Sequence, residues 1–483
     1  MIDIAFGAAE WQAIAPVATL VVFAMGILLY EAFYGETHDA QMPFWFSVVG
    51  LLAASLVSWG VWQDGATAFG GTYTTDGVSL LTNWIACLAG GLSLAMALSH
   101  FPDLGIKARE VYPLVLFTVA GMMVMGSAQD LIVLFLGLEV MSIPAYVLAG
   151  IHRRNEHSSE AALKYFILGA LASSFLLYGI ALLYGATGTF SYAGIAAALP
   201  GADRMLVLGG LALLLVGLGF KVGVVPFHFW APDVYQGAPT PITALMAVGI
   251  KAGAAVGMAR LFLTALAPLH ADWAWVLWCL SAATMLVGNI TAIAQNNVKR
   301  MLAYSSIAHA GYVVAALVAG TPRGGGAILF YLLAYAFMNL GAFAVVTAMA
   351  VPGDRNESIS DYAGLAERRP ILAGVMVVFL LSLMGIPPMA GFVGKLYILE
   401  ALVQVGYIGL AVVMILTSVI SGYYYLRVIV EMFMRDPEKE APDWEAKPYL
   451  VGTLLIALTG TLFFGVFPDA GLDLARQAFL SLY

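Results

Sequence analysis

"LLLVGLGFKVGVVPFHFWAPDVY", residues 213–235, is an apolar run that carries Lys221, Pro226 and His228 within eight positions. Its hydrophobicity reads as a membrane helix, but its interruptions do not. A proline removes a backbone donor and breaks the helical ladder. A charge at the centre of a membrane helix costs about 2.5–3.5 kcal/mol on insertion scales. The remainder of the chain decides whether the interruption is a surface anchor or a working part.

The 483 residues are 61% hydrophobic and 10% charged, with a mean hydropathy of +0.90. That is the composition of a protein dissolved in lipid, not of a soluble globule. Hydrocarbon offers no partner for backbone polar groups, so long apolar runs predict helices. The short alternating segments of a barrel are missing from the sequence. Cys87 and Cys279 lie inside apolar runs without a CxxC pattern, and read as packing residues. The opening "MIDIAFGAAEWQAIAP" lacks the basic region of a cleavable signal peptide. No glycine-rich phosphate loop follows a strand-like run, which argues against nucleotide binding on this chain. The net charge of −8 says little about partners, because the placement of Lys and Arg matters more than the sum.

About 20 apolar residues cross a core of about 30 Å. By that measure the expected spans are 13–34, 43–62, 77–99, 110–127, 130–151, 161–185, 204–236, 241–265, 272–294, 300–319, 325–351, 370–402, 407–432 and 449–467. The fold class is therefore an all-α membrane protein of about fourteen transmembrane helices. The seventh and twelfth runs are too long for one straight crossing, and each holds a break: Pro226 in the first, "GIPPMAG" (385–391) in the second. Two breaks five spans apart suggest two five-helix units, and consecutive odd-numbered units are inverted relative to each other. The expected organisation is three amino-terminal helices in 1–100, a first repeat in 101–270, a second in 271–433 and a last helix in 434–483.

Basic residues orient the bundle. With the amino terminus outside, the inner segments hold Lys107, Arg109, Arg153, Arg154, Lys299, Arg300, Arg355, Arg368, Arg369, Arg435, Lys439 and Lys447. The outer segments hold only Arg204, Arg323 and Arg476. The asymmetry places both termini outside a cytoplasmic membrane.

The ionisable groups left inside spans are few. Glu139, Lys221, Lys251 and Lys395 are central, Lys164 begins the sixth span, and His228 and His309 complete the set. Four unpaired central charges would cost on the order of 10 kcal/mol, as much as a domain's whole stability. They must face protein or water. Lys164 is read either as a relay or as a side chain snorkelling to the inner surface, and His309 either as a relay or as a packing residue. Lys299 and Arg300 read as topology anchors, Arg260 and Arg427 as interfacial, and Glu110 as a helix-start carboxylate. For the central four, the plain alternative is ion pairs gluing helices together. The functional reading is proton transfer. Burial makes a lysine give up its proton more readily, a nearby carboxylate opposes this, and arginine cannot substitute because it stays charged. A histidine titrates in the same range. A helix break frees backbone groups and belongs where irregular chain lines a cavity.

Four stretches carry a specific likeness: "FLGLEVMSIPAYVL" (135–148), "GFKVGVVPFHFWAPDVYQGAPTPITALM" (219–246), "NNVKRMLAYSSIAHAGY" (296–312) and "GIPPMAGFVGKLYIL" (385–399). With them the chain resembles the antiporter-like membrane subunits of respiratory complex I, a family shared with multisubunit cation/proton antiporters. The resemblance implies fourteen helices with inverted five-helix repeats and a proton-translocating role coupled to quinone reduction elsewhere in a complex. It implies Glu139 and Lys221 as a coupled pair, Lys251 as the central lysine, Lys395 as the terminal lysine, and His228 and Lys164 as auxiliary relays. Lys395 is expected to be the second repeat's counterpart of Lys221. A lysine at 395, and an end soon after the fourteenth helix, favour the family member nearest the quinone end. NADH, FMN, iron–sulfur clusters and quinone would then bind other subunits, with no cofactor and no metal here. Expected partners are the adjacent antiporter-like subunit M, subunit K, the lateral helix of subunit L, lipid and protons, and no nucleic acid. The rival readings are a monovalent cation/proton antiporter subunit, a hydrogenase-type complex subunit, and a scaffold of fixed ion pairs.

Overall fold

The computed structural model describes residues 7–34, 41–62, 65–107, 109–350, 357–436 and 447–480. Arg355 and Lys439, two of the expected inner cations, lie outside the described residues. Two helices, α1 (Ala8–Tyr34) and α2 (Gln41–Val61), lead through a small hairpin, β1 (Thr67–Ala68) paired with β2 (Tyr73–Thr74), into α3 (Gly77–His100). Next come α4 (Val111–Ser127), α5 (Leu131–Ala149), α6 (Glu156–Thr187) and the short α7 (Tyr192–Ala198). The seventh span is split into α8 (Arg204–Val222) and α9 (Trp230–Gly237). The eighth joins α10 (Thr240–Leu245) to α11 (Lys251–Leu263) through a π-helical turn at Met246–Ile250. Then follow α12 (His270–Ile293), α13 (Val298–Val318), α14 (Pro322–Met349) and a single turn, α15 (Leu365–Arg368). The twelfth span is split into α16 (Pro370–Met384) and α17 (Ala390–Gln404), and α18 (Ile408–Met434), α19 (Pro448–Val466) and α20 (Asp469–Leu480) close the chain.

Twelve helical segments of the described residues are long and apolar enough to cross a membrane. Helix α4, 17 residues and so roughly 26 Å at ~1.5 Å per residue, and the α16–α17 pair supply two more, which makes the fourteen. The starts follow local chemistry. Asp130, Asn155, Asp203, Asn297 and Thr321 each cap a helix by accepting hydrogen bonds from first-turn amides. Helix α20 does not cross; it lies on α3 and α14.

Burial sorts the spans into a core and a shell. The membrane windows of α10–α11 and α13 are 100% and 94% buried inside the protein, so any charge on them faces protein. Helices α5 and α18 instead keep an apolar face outward, through Leu136, Val140, Ile143 and Val147 on one and Val412, Ile415, Val419 and Tyr423 on the other.

The two breaks share one geometry. Helix α8 ends at Gly223, in the left-handed region at φ 82°, and the amides of Gly223 and Val224 both return to Gly219 O, at 2.9 and 2.8 Å. Helix α16 ends at Gly385, φ 92°, and the amides of Gly385 and Ile386 both return to Leu381 O at 3.0 Å. This is the glycine-terminated cap that stops a helix while satisfying its last carbonyls. The seventh helix therefore stops three residues before Pro226, the residue to which sequence reading assigns the break. The proline follows each glycine by three positions, Pro226 after Gly223 and Pro388 after Gly385.

Candidate functional site

Lys221 is the penultimate residue of α8, and only 1% of its surface is exposed. Its ammonium donates to Tyr146 Oη on α5 and Tyr165 Oη on α6, each at 3.3 Å. It also lies 4.8 and 4.7 Å from the centres of those two rings, within cation–π range. Tyr165 stacks on Trp230 of α9 at 4.6 Å, and the Trp230 indole N–H donates to Phe220 O at 2.8 Å. The second half of the broken span thus closes over the lysine.

Glu139 stands seven residues before Tyr146, two turns away on the same face of α5. It is half-buried, and its Oε1 accepts a hydrogen bond from Ser173 Oγ on α6 at 2.5 Å. Among the described residues no ion pair joins Glu139 to Lys221. The two groups expected to form a coupled pair stand apart, with Tyr146 next to the lysine.

Lys251 lies at the start of α11, just after the π-helical turn, and donates to Ser306 Oγ on α13 at 2.5 Å. Its ammonium is 5.6 Å from the centre of the Tyr235 ring. Gly223 faces it: a Cβ there would meet Lys251 Nζ at 3.4 Å. Lys251, Ser306, His309, Tyr331 and Tyr335 bound a cavity of about 20 Å³, room for one water molecule.

His309 joins this group to the second break. Its Nδ1 is 2.5 Å from Tyr331 Oη and its Nε2 is 3.2 Å from Tyr425 Oη, while Tyr425 is hydrogen-bonded to Ser305. Tyr424 donates to Asn289 Oδ1 at 2.9 Å, and Asn289 Nδ2 lies 3.4 Å from Tyr312 Oη. The Tyr312 ring is 4.9 Å from the ammonium of Lys395. Lys395 donates to Ser418 Oγ at 2.6 Å, Met384 O at 2.9 Å and Leu383 O at 3.1 Å. The two carbonyls are those that the end of α16 leaves open, and Gly385 faces the lysine stem, where a Cβ would meet Cδ at 3.0 Å.

The structure therefore brings Lys221, Lys251 and Lys395 into one buried polar axis, with His309 between the last two. His228 is buried beside Phe229, and its Nδ1 has no hydrogen-bond partner among the described residues. It makes no hydrogen bond to either neighbouring lysine. Lys164 lies apart from the axis in the amino-terminal part of α6, bonded to Asp233 Oδ2 at 2.8 Å and Glu160 Oε1 at 2.7 Å. Two expectations change. Lys299, read as a topology anchor, is fully buried and bonds Glu357 Oε1 at 2.8 Å and Ala238 O at 2.9 Å. Arg260, read as interfacial, is also fully buried and makes two 2.7 Å bonds to Asp76, which caps α3. Bidentate pairing supplies the charge that burial demands. Counted from the glycines, Leu383 and not Lys395 holds the register of Lys221: each stands two residues before its glycine.

The sequence reading missed the neutral links: Tyr146, Tyr165, Ser306, Tyr331, Tyr425 and Ser418. A hydroxyl costs little in a membrane helix, so no energetic anomaly marks it. The available sign was their spacing from the lysines and glycines, which is readable only once the helices are paired.

Comparison with known proteins gives the family. Residues 128–421 match the family described as NADH:quinone oxidoreductase/Mrp antiporter, transmembrane. The chain is 44% identical over 468 residues to the NADH-quinone oxidoreductase subunit N of Trichlorobacter lovleyi, covering 96% of each. It is 43% identical over 479 residues to the subunit N of Chloroflexus aggregans, covering 98% of each. A chain of respiratory complex I from Thermus thermophilus, solved with bound aureothin, superposes with a TM-score of 0.81 at 36% identity, covering 95% of this chain and 99% of that one. A chain of the Mrp complex from Dietzia sp. DQ12-45-1b shares the fold, with a TM-score of 0.86 at 24% identity over 97% of both chains. The chain belongs to the NADH:quinone oxidoreductase/Mrp antiporter membrane-subunit family.

Proposed function

We propose that this chain is the N-type membrane subunit of a bacterial NADH:quinone oxidoreductase, and that it moves protons across the cytoplasmic membrane while other subunits carry out the redox chemistry. The enzyme as a whole is a translocase. The observation that carries this reading is the buried series of titratable and hydroxyl groups at Lys221, Lys251, His309 and Lys395, inside a bundle with no soluble domain among its described residues. Each lysine stands at or beside a helix break, where backbone and side chain can exchange partners as charge moves. Glu139 tunes Lys221 from two turns away. Lys251 passes the proton inward along the axis, and Lys395 releases it to the outside. His228 and Lys164 are supporting groups. NADH, FMN, iron–sulfur clusters and quinone are assigned to other subunits.

The apolar outer faces of α5 and α18 suit neighbouring membrane subunits of the complex, with subunit M, subunit K and the lateral helix of subunit L as the proposed contacts. Both termini are assigned to the outer side, on the distribution of Lys and Arg.

The test is exchange at Lys221. Arginine keeps the charge but does not release its proton. Lys221→Arg should therefore abolish NADH-driven proton pumping in membrane vesicles nearly as fully as Lys221→Ala. Full pumping by the arginine variant would overturn the reading. The same vesicles assayed with and without sodium separate it from a cation antiporter, since proton pumping through this axis needs no sodium.

A further inference from the structure

The inner face of the bundle holds a polar pocket of about 310 Å³, lined by His157, Glu160, Lys164, Asp233, Gln236 and Glu357. Asp233 belongs to α9, the eight-residue half-helix that separates this pocket from two buried lysines. One turn before it, Trp230 stacks on the tyrosine that receives Lys221; two residues after it, the Tyr235 ring faces Lys251.

The carboxylate of Asp233 is shared by cations from two different repeats. Its Oδ2 accepts from Lys164 on α6 at 2.8 Å, and its Oδ1 from Arg300 on α13 at 2.7 Å. Each cation has a second acceptor in place. Lys164 also meets Glu160 at 2.7 Å, and Arg300 also donates to Gln236 Oε1 at 3.1 Å. Neutralising Asp233 therefore strands neither of them. The other charged or titratable groups around it are His157 on α6 and the Lys299–Glu357 pair, whose charges are matched at 2.8 Å.

The repeat supplies a second, independent argument. Asp233 stands ten residues after Gly223, and Lys395 stands ten residues after Gly385. The two are register equivalents on the half-helices that follow the two breaks. Because the repeats are inverted, one half-helix leads to the inner surface and the other to the outer.

We propose that Asp233 takes up protons from the inner aqueous phase and is the first repeat's inlet counterpart of Lys395. The inference rests on the proton-pumping reading above. In the loading step a hydrated proton from the pocket forms an O–H bond with the carboxylate, leaving a neutral acid and water. The neutral acid loosens its hold on Lys164 and Arg300, which keep Glu160 and Gln236. The proton then leaves for the Lys221 side of α9, and the carboxylate re-forms between its two cations.

The experiment uses the whole complex in inside-out vesicles, where the pocket faces the medium. Asp233→Ala should slow NADH-driven proton uptake by about tenfold or more, as expected for the loss of a proton-transfer group. Part-exposed ion pairs contribute little to stability, so the complex should still assemble. Sodium formate in the medium, a small carboxylic acid able to enter the pocket, should restore uptake in Asp233→Ala severalfold relative to wild type at the same concentration. It should restore nothing in Lys221→Arg. A slow Asp233→Ala that formate does not restore, or an Asp233→Ala that pumps normally, overturns the inlet assignment. If the alanine variant does not assemble, the isosteric Asp233→Asn decides: about tenfold slower uptake supports the assignment and full uptake refutes it. Lys221→Arg in the same series keeps the two readings apart. If it pumps normally, the axis itself is wrong; if it is dead while Asp233→Ala is normal, only the inlet fails.

Discussion

The two helix breaks end on the same glycine cap and carry proline at the same spacing, yet they treat charge differently. At the second, Lys395 turns back onto its own break, and all three of its N–H donors can be matched by oxygen: Leu383 O, Met384 O and Ser418 Oγ. At the first, among the described residues, Lys221 finds two tyrosine hydroxyls at 3.3 Å and three ring faces, and Lys251 finds one serine and the Tyr235 ring. The ammonium is well solvated by the second break and poorly by the first. One backbone device therefore makes two kinds of site, and the side chains around it decide which. A proton passed from the Lys221 side to Lys395 would move to the site that holds it more tightly, which favours that transfer and leaves the final release as the uphill step.

The largest effect should come from emptying the better-solvated site. Lys395→Ala removes the donor to Leu383 O and to Ser418 Oγ, leaves Met384 O only the 3.4 Å bond from Ser418, and removes the last titratable group of the axis. Proton export should fall on the order of 100-fold, and coupled NADH oxidation should fall with it. Quinone affinity should not change if the quinone site is on other subunits. Titrating quinone while following pumping checks both. A changed affinity with intact pumping would assign Lys395 another role.

Exchanging the glycines compares the breaks directly. Alanine in the left-handed region is strained by about 1 kcal/mol at either position. Gly385→Ala must also push Lys395 aside, since the new Cβ sits 3.0 Å from its Cδ, whereas Gly223→Ala meets only the flexible tip of Lys251 at 3.4 Å. Both variants should assemble, and Gly385→Ala should lose several times more pumping than Gly223→Ala. Equal losses would mean that the strain alone matters and that the lysines do not depend on the shape of the cap.

Much of this comparison was legible in the sequence, and what was not has physical reasons. The spans, the two breaks and Lys221, Lys251 and Lys395 stand out because a buried charge or a proline in an apolar run is costly, and cost leaves a mark in sequence. The fourteen spans and the inverted repeat follow from the same logic. The glycine that ends each helix was hidden behind the more conspicuous proline. Arg260 and Lys299 were misjudged because their partners, Asp76 and Glu357, are distant in sequence: 184 residues separate Arg260 from Asp76. Asp233 was not singled out from the sequence, because its two cations meet only in three dimensions. The tyrosine and serine links carry no charge, so nothing in composition or periodicity separates them from packing residues.

The smallest effect concerns Glu139, which has no counterpart at the second break among the groups that contact Lys395. It is half-buried and held by Ser173, and it lies off the axis, so it influences Lys221 through charge rather than contact. Coulomb attraction between separated groups falls with distance and is weaker than a direct ion pair. Glu139→Gln keeps the shape and the bond to Ser173 while deleting the charge. The complex should assemble normally, because a buried amide that stays hydrogen-bonded costs less than a lone carboxylate. Pumping should drop only severalfold, well short of Lys395→Ala. Ser173→Ala removes one hydrogen bond, worth about 1 kcal/mol, and leaves the charge, so its effect should be smaller still. Native gels for assembly and vesicle pumping for function separate the alternatives. If Glu139→Gln eliminates assembled complex, Glu139 holds helices together and does not tune Lys221. If Ser173→Ala matches Glu139→Gln in a complex that assembles, position rather than charge is what α5 supplies to the first break.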